Sequence, residues 1–149
     1  MRRDVDAEWE PTVPALVNLV AGSGVPRLRA AFAAAGLHGI RPAQAITLVP
    51  LAAGGMHASD LADHLKVSRQ AVAQGVTALE REGYVNRVPD PADARARTIE
   101  LTPRGRQVLR VMRSHAIDLE KRWQRILGER RLGELRESLQ MLLAAASGE

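Results

Sequence analysis

Residues 67–101 read VSRQAVAQGVTALEREGYVNRVPDPADARARTIEL, and the spacing of apolar residues changes within this stretch. Its first half has the periodicity of a helix, because Val72, Val76 and Leu79 recur at spacings of four and three. Its second half instead alternates like two strands around the turn-rich segment PDPAD at 89–93. The stretch therefore predicts a helix that is followed at once by a β-hairpin.

The limits of these elements can be predicted from single residues. Ser68 is a suitable N-cap for a helix over residues 69–82, and Gly83 stands where a glycine usually follows a helix. The alternating runs predict strands over 84–88 and 97–101.

Amphipathic helices are predicted on both sides of this stretch. Their predicted ranges are 11–35 with a break near Gly22 and Gly24, 42–53, 59–66, 103–127 and 130–146. Two closely spaced helices that are joined by a tight turn and followed by a hairpin form a winged helix-turn-helix. The predicted fold class is therefore mainly α with a small β-hairpin wing.

Composition narrows the class of protein. The chain has 149 residues and lacks cysteine, which excludes a disulfide framework, a thiolate zinc site and a cysteine nucleophile. We find no apolar run long enough to span a bilayer, and the N-terminus lacks the apolar stretch of a signal peptide. We therefore expect a cytoplasmic protein with one compact core.

The charge balance permits nucleic acid binding. The formal net charge is +4, and almost all of the positive charge is arginine. A basic balance does not by itself indicate a nucleic acid partner, so the position of the charge has to be considered.

The outward face of the predicted helix 69–82 suits DNA. Arginine can donate two hydrogen bonds to a guanine edge, and glutamine can bond an adenine edge in the same way. Acidic residues appear only near the far end, at Glu80 and Glu82. The alternative is an ordinary solvated polar face. The candidate recognition residues are Ser68, Arg69, Gln70, Ala73, Gln74 and Thr77.

The predicted hairpin carries arginines that could enter a minor groove, where negative potential is concentrated. The candidate wing residues are Arg87, Arg95 and Arg97. In the alternative interpretation, Asp90 and Asp93 pair with Arg95 and Arg97 and simply hold the tip together. Arg104 and Arg106 oppose the dipole of the next helix, which makes phosphates one candidate partner for them.

Several segments together resemble the MarR family of bacterial transcriptional regulators. The segments are 59–62 (SDLA), 67–72 (VSRQAV), 79–85 (LEREGYV), 90–95 (DPADAR) and 101–105 (LTPRG). The resemblance covers about residues 40 to 110, and the wing phrase that leads into Leu-Thr-x-x-Gly is its most specific part.

The resemblance implies a homodimer whose first and last helices interlock. This homodimer is expected to bind a palindromic operator. It implies a recognition helix in the major groove, with contacts from Ser68, Arg69, Gln70, Ala73 and Gln74, and a wing in the minor groove with Arg95. It also implies regulation of transcription, usually repression, and often release of DNA by a small aromatic or anionic ligand. This chain departs from the family at four positions, where it has Ala71, Ala73, Gln74 and Ala94.

Other residues give weaker signals. The four histidines, His38, His57, His64 and His115, lack the spacing of a metal site, so we expect surface or packing roles and no metal. No nucleophile–base pair or phosphate loop is apparent, so we expect neither an enzyme nor a bound cofactor. Trp9 and Trp123 could line a ligand pocket, but we favour packing roles.

The leucine stripe of the last helix bears on domain organisation. Leu132, Leu135, Leu139 and Leu142 follow at spacings of three, four and three, and we favour a dimer seam over a core stripe. We therefore expect an N-terminal dimerisation region at 1–35, a winged helix-turn-helix at 36–103 and C-terminal dimerisation helices at 104–149. Two further hypotheses stay open: a protein-interaction module that has lost DNA recognition, and sequence-blind architectural DNA binding.

Overall fold

The structure is a computed structural model, and it describes residues 10–148. The helices are α1 (Val13–Ser23), α2 (Val25–Ala34), α3 (Pro42–Ala45), a 3₁₀ helix (Ile46–Ala53), α4 (Ala58–Leu65), α5 (Arg69–Arg81), α6 (Pro103–Leu127) and α7 (Glu129–Ala146). The strands are β1 (Met56–His57), β2 (Val85–Pro89) and β3 (Arg97–Leu101). The predicted fold class, mainly helical with a small β wing, is confirmed.

The sheet is antiparallel in the order β1-β3-β2. β2 and β3 form the predicted hairpin, in which Val85 pairs with Leu101 and Pro89 with Arg97. The two-residue strand β1 adds to the other edge of β3, with His57 opposite Thr98. Sequence periodicity missed this strand, since two residues are too few to show an alternation.

One predicted helix differs from the structure. The range 42–53 is a single turn of α-helix followed by a 3₁₀ helix, not one continuous α-helix. Pro50 lies inside this segment, and its ring cannot donate to a carbonyl one turn back and clashes with it. The break predicted near Gly22 and Gly24 is confirmed, since Gly24 separates α1 from α2.

The chain forms two compact units, one that ends at Met112 and one that begins at Arg113. The first unit contains the winged helix and a continuous apolar core, in which Leu48, Leu61, Val76 and Tyr84 are almost fully buried. The three inward residues predicted for α5 belong to this core, and all are less than 4% exposed. This packing fixes which face of α5 remains in solvent.

The junction between the hairpin and α6 is closely packed. The Thr102 amide donates to the Tyr84 carbonyl (3.1 Å), and the Thr102 hydroxyl donates to the Gly83 carbonyl (2.6 Å). The same hydroxyl oxygen accepts the Gly105 amide at 3.0 Å, which makes Thr102 the predicted cap of the next helix. These bonds tie α6 to the start of β2.

In the second unit, α7 carries the leucine stripe. Leu132 is buried, Leu139 is half-buried, and Leu135 and Leu142 are exposed. Ion pairs join Arg136 to Glu120 and Arg130 to Glu134.

Candidate nucleic-acid interface

Helix α5 begins with a capped and positively polarised end. Ser68 has extended backbone angles, and its hydroxyl oxygen accepts the amide of Ala71 at 3.1 Å. The first turn contains no acidic residue. The remaining free amides and the helix dipole therefore favour an anion such as a DNA phosphate at this end.

The outward face of α5 is the face predicted for DNA. With Val72, Val76 and Leu79 packed into the core, the opposite side is left to solvent. All six predicted recognition residues are exposed: Ser68, Arg69, Gln70, Ala73, Gln74 and Thr77. The structure thus brings them onto one surface, and a role for each in reading bases stays a prediction.

Arg87 lies against this helix and does not project freely. Its guanidinium donates to the Thr77 hydroxyl (3.2 Å), to the Ala73 carbonyl (3.5 Å) and to the Glu80 carboxylate (3.4 Å). Its backbone amide also donates to Glu80, at 3.2 Å. Arg87 therefore joins β2 to α5 and partly neutralises the carboxylate closest to the recognition face.

The wing tip, residues 90–96, is closed by its own backbone. The Asp90 amide donates to the Ala96 carbonyl (3.0 Å), and the Ala96 amide donates to the Asp93 carbonyl (3.0 Å). The Asp90 carboxylate accepts the Ala92 amide at 2.8 Å, and the Asp93 carboxylate accepts the Arg95 amide at 2.9 Å. The two aspartates therefore act as local caps of the turn.

The wing arginines are exposed. In the described part of the chain, no ion pair engages the Arg95 or the Arg97 guanidinium. The alternative in which Asp90 and Asp93 pair with these arginines is therefore not what the structure shows. Both guanidinium groups remain available, although contact with DNA stays a prediction.

Arg104 has partners inside the protein. Its guanidinium stacks over the Tyr84 ring, 4.8 Å from the centroid, and donates to the Tyr84 hydroxyl at 3.1 Å. It also reaches the His38 carbonyl at 3.4 Å. Tyr84 is fully buried. These contacts with it offset the unfavourable interaction of the Arg104 charge with the helix dipole, and no phosphate is needed to explain the position of Arg104.

His57 is a functional candidate that the sequence did not reveal. Its Nε2 lies 2.7 Å from Oδ2 of Asp90, across 33 residues of sequence. The Ala92 amide, and after it the His57 ring, hold the pKa of Asp90 below its ordinary value of 3.8, against partial burial, which acts in the other direction. The pairing depends on β1, whose two residues give no pattern to find.

The described residues form neither a metal site nor a membrane-spanning helix. Within residues 10–148 no three side chains of histidine, aspartate or glutamate lie together as a metal site would need. None of the described helices combines the length and apolar content that crossing a bilayer requires.

Trp9 lies outside the described residues, and Trp123 is half-buried in the second unit. The second unit also carries an open groove of about 490 Å³, lined by Lys121, Gln124, Arg125 and Glu129.

Known proteins share both sequence and fold with this chain. Residues 38–96 match the profile of the MarR family. The transcriptional activatory protein BadR of Rhodopseudomonas palustris is 35% identical over 94 residues, which are 63% of this chain and 53% of BadR. The chain therefore spans about half the length of this curated relative.

Solved structures have the same fold. A MarR transcriptional regulator from Methanosarcina mazei has a TM-score of 0.74 at 21% identity, over 91% of this chain and 96% of the other. A mutant S. aureus MepR bound to an oligodeoxyribonucleotide has a TM-score of 0.60 at 22% identity, over 92% and 99%. The resemblance predicted from the motifs is thus confirmed over residues 38–96, and the solved structures share the fold of this chain.

Proposed function

We propose that this chain, whose residues 38–96 match the MarR family, is a DNA-binding transcriptional regulator that acts as a homodimer on a palindromic operator. The observation that carries the proposal is the exposed face of α5, which has no carboxylate in its first turn and stands beside a wing whose Arg95 and Arg97 are exposed. We assign base reading to Arg69, Gln70 and Gln74 and backbone contact to Ser68. Arg95 is assigned to the minor groove.

Dimerisation rests on apolar side chains that a single copy leaves exposed. On α1, Val13, Leu16, Val17 and Val20 recur on one face, and none of the residues of this helix is buried. On α7, Leu142 is 62% exposed. Contiguous apolar surface of this kind indicates a protein interface. We therefore assign residues 1–35 and 104–149 to dimerisation and 36–103 to DNA binding.

Fluorescence anisotropy tests the DNA-binding proposal. The purified protein is titrated against the DNA upstream of its own gene and against a shuffled duplex, at several salt concentrations. A specific regulator binds the first duplex at least about 10³-fold more tightly at physiological salt. Equal, strongly salt-sensitive affinity for many upstream fragments and for random DNA supports architectural binding, and no binding at low salt supports a protein-interaction module.

Two variants separate base reading from backbone attraction. Gln70→Ala should change the preferred base at one position, by about 1–3 kcal/mol of discrimination. Arg95→Ala should weaken binding more evenly across sequences. Arg131→Ala, which removes an exposed arginine of α7, is the matched control. If neither of the first two variants differs from this control, the assignment of these residues is wrong.

Oligomeric state is tested by light scattering after size exclusion. Leu142→Glu should convert the dimer to a monomer, because it puts a carboxylate into the proposed apolar seam. Met141→Glu is the control, since neighbouring residues on a helix point about 100° apart. A Leu142→Glu protein that stays dimeric would exclude this seam.

Whether the protein represses or activates transcription, and whether a ligand releases it from DNA, are separate proposals. The resemblance favours repression, whereas the BadR relative is named as an activatory protein. A reporter driven by the bound promoter, with and without the regulator, decides between them. Release by a ligand is tested by adding aromatic carboxylates to the protein–operator complex, where a fall in anisotropy identifies an effector.

A further inference from the structure

The bond between His57 and Asp90 connects two distant parts of the winged helix. His57 ends β1, which pairs with β3 at the sheet edge. Asp90 comes directly after β2 and begins the wing tip. The 2.7 Å contact from His57 Nε2 to Asp90 Oδ2 therefore attaches the first residue of the tip to the far side of the sheet.

This contact differs from every other side-chain hydrogen bond described for the tip. Asp90 Oδ1 accepts the Ala92 amide and Asp93 Oδ1 accepts the Arg95 amide, so both bonds stay inside the tip. Across residues 10–148, His57 supplies the one side-chain bond that reaches the tip from outside the hairpin. A tip closed on itself is a rigid turn, and its angle to the sheet then depends on such an attachment.

A short path of bonds leads from His57 to Arg95. Asp90 accepts the His57 ring with its side chain and the Asp93 amide (3.3 Å) with its carbonyl. Asp93 in turn accepts the Arg95 amide with its side chain (2.9 Å). The residue whose carboxylate His57 holds is therefore connected to the backbone of Arg95 through two hydrogen bonds, one from Asp93 to Asp90 and one from Arg95 to Asp93.

We propose that His57 is a positioning residue for DNA binding, which holds the wing tip through Asp90 so that Arg95 is presented to the minor groove. The inference rests on the proposed DNA-binding function. His57 itself touches no DNA in this arrangement, and its effect on affinity passes through Arg95. Nε2 carries the hydrogen of this bond, since a carboxylate only accepts.

A double-mutant cycle on operator affinity tests the proposal. We expect His57→Ala to weaken binding about five- to tenfold, in line with the net contribution of one partly exposed hydrogen bond. Arg95→Ala should weaken it by about tenfold or more. In the Arg95→Ala background, His57→Ala should cause less than about a twofold further change. His38→Ala is the matched control, because only the backbone carbonyl of His38 is used.

Two amide variants distinguish a positioning role of His57 from a simple loss of folding. Gln can place a donor near the position of Nε2, whereas Asn is too short to reach it. His57→Gln should therefore restore most of the affinity, and His57→Asn should behave like His57→Ala. Circular dichroism melting confirms that each variant is folded at the assay temperature.

The outcomes separate this inference from the proposed function. Wild-type protein that shows no preference for any operator refutes the proposed function. Wild-type protein that binds specifically and loses affinity with Arg95→Ala, but not with His57→Ala or His57→Asn, overturns only the role of His57. Additive losses in the double variant, or no rescue by glutamine, also overturn it, because His57 would then not act through Arg95 or through the bond from its ring to Asp90.

Discussion

Gly105→Ala tests how closely α6 approaches the start of β2. A Cβ at Gly105 would overlap the Tyr84 carbonyl oxygen and lie 3.1 Å from Leu101 Cδ2. The backbone cannot yield easily there, because the same carbonyl accepts the Thr102 amide. Overpacking of a core costs about 1–3 kcal/mol, and a weakened hydrogen bond adds about 1 kcal/mol.

Alanine also gains about 1 kcal/mol over glycine in helix propensity, so the net destabilisation is about 2 kcal/mol. For a chain of this size, that lowers Tm by about 4–8 °C. Calorimetry at fixed protein concentration measures the shift, since the proposed dimerisation would make Tm concentration-dependent.

Gly75→Ala is the matched control for this experiment. Gly75 lies inside α5, and no atom outside its own helix backbone stands within 4 Å of an added Cβ. The same substitution should here raise stability by about 0.5–1 kcal/mol. If Gly105→Ala melts at or above the wild-type temperature, the close approach of α6 to β2 does not constrain this position and the packing argument is wrong.

Three further predictions concern the winged helix. Lys66 ends α4 in the left-handed region (φ 54), so Lys66→Gly should raise the free energy of unfolding by about 0.5–1 kcal/mol in urea titrations, and a loss would contradict the strain. Because the pKa of Asp90 is lowered, its contribution to stability is complete above the ordinary pKa and is lost as pH falls through the lowered value. Unfolding measured from about pH 5 to pH 2 should show a shallower acid loss in Asp90→Asn than in the wild type, and equal slopes would exclude this role. Arg87→Ala should weaken operator binding across sequences, since it leaves Glu80 uncompensated beside the recognition face. Arg87→Lys should not restore that binding, because lysine lacks the planar fork that reaches Thr77 and Glu80 together, and full recovery with lysine would argue for charge alone.

Local signals predicted most of the fold. The N-cap at Ser68, the glycine at position 83 and the periodicity of Val72, Val76 and Leu79 are all contained within a few residues of the elements they define. The 3₁₀ segment was missed because apolar spacing does not separate it from an α-helix, although Pro50 is visible in the sequence. This error of helix type and the missed strand β1 leave the architecture unchanged.

The candidate site was less predictable because its contacts are long-range. The apolar periodicity of the helix and the alternation of the hairpin predict which side chains are exposed. Gln70 and Arg95 could therefore be identified as candidates from the sequence. The attachment of Arg87 to α5, the stacking of Arg104 on Tyr84 and the bond from His57 to Asp90 join residues that only folding brings together. The spacing of residues in the sequence does not predict such pairs. Charge alone indicates a phosphate as one candidate partner for Arg104, whereas the structure places Arg104 against Tyr84.

The bonds that close the wing tip do not involve every side chain of the tip. The tip is held by backbone atoms and by the carboxylates of Asp90 and Asp93, while the side chains of Ala92 and Ala94 are exposed. Any residue that keeps its amide hydrogen preserves the bond that Ala92 makes. If the wing binds DNA as proposed, substitutions at Ala92 or Ala94 change the surface that it presents while the bonds that close the tip are kept, so recognition can evolve separately from stability.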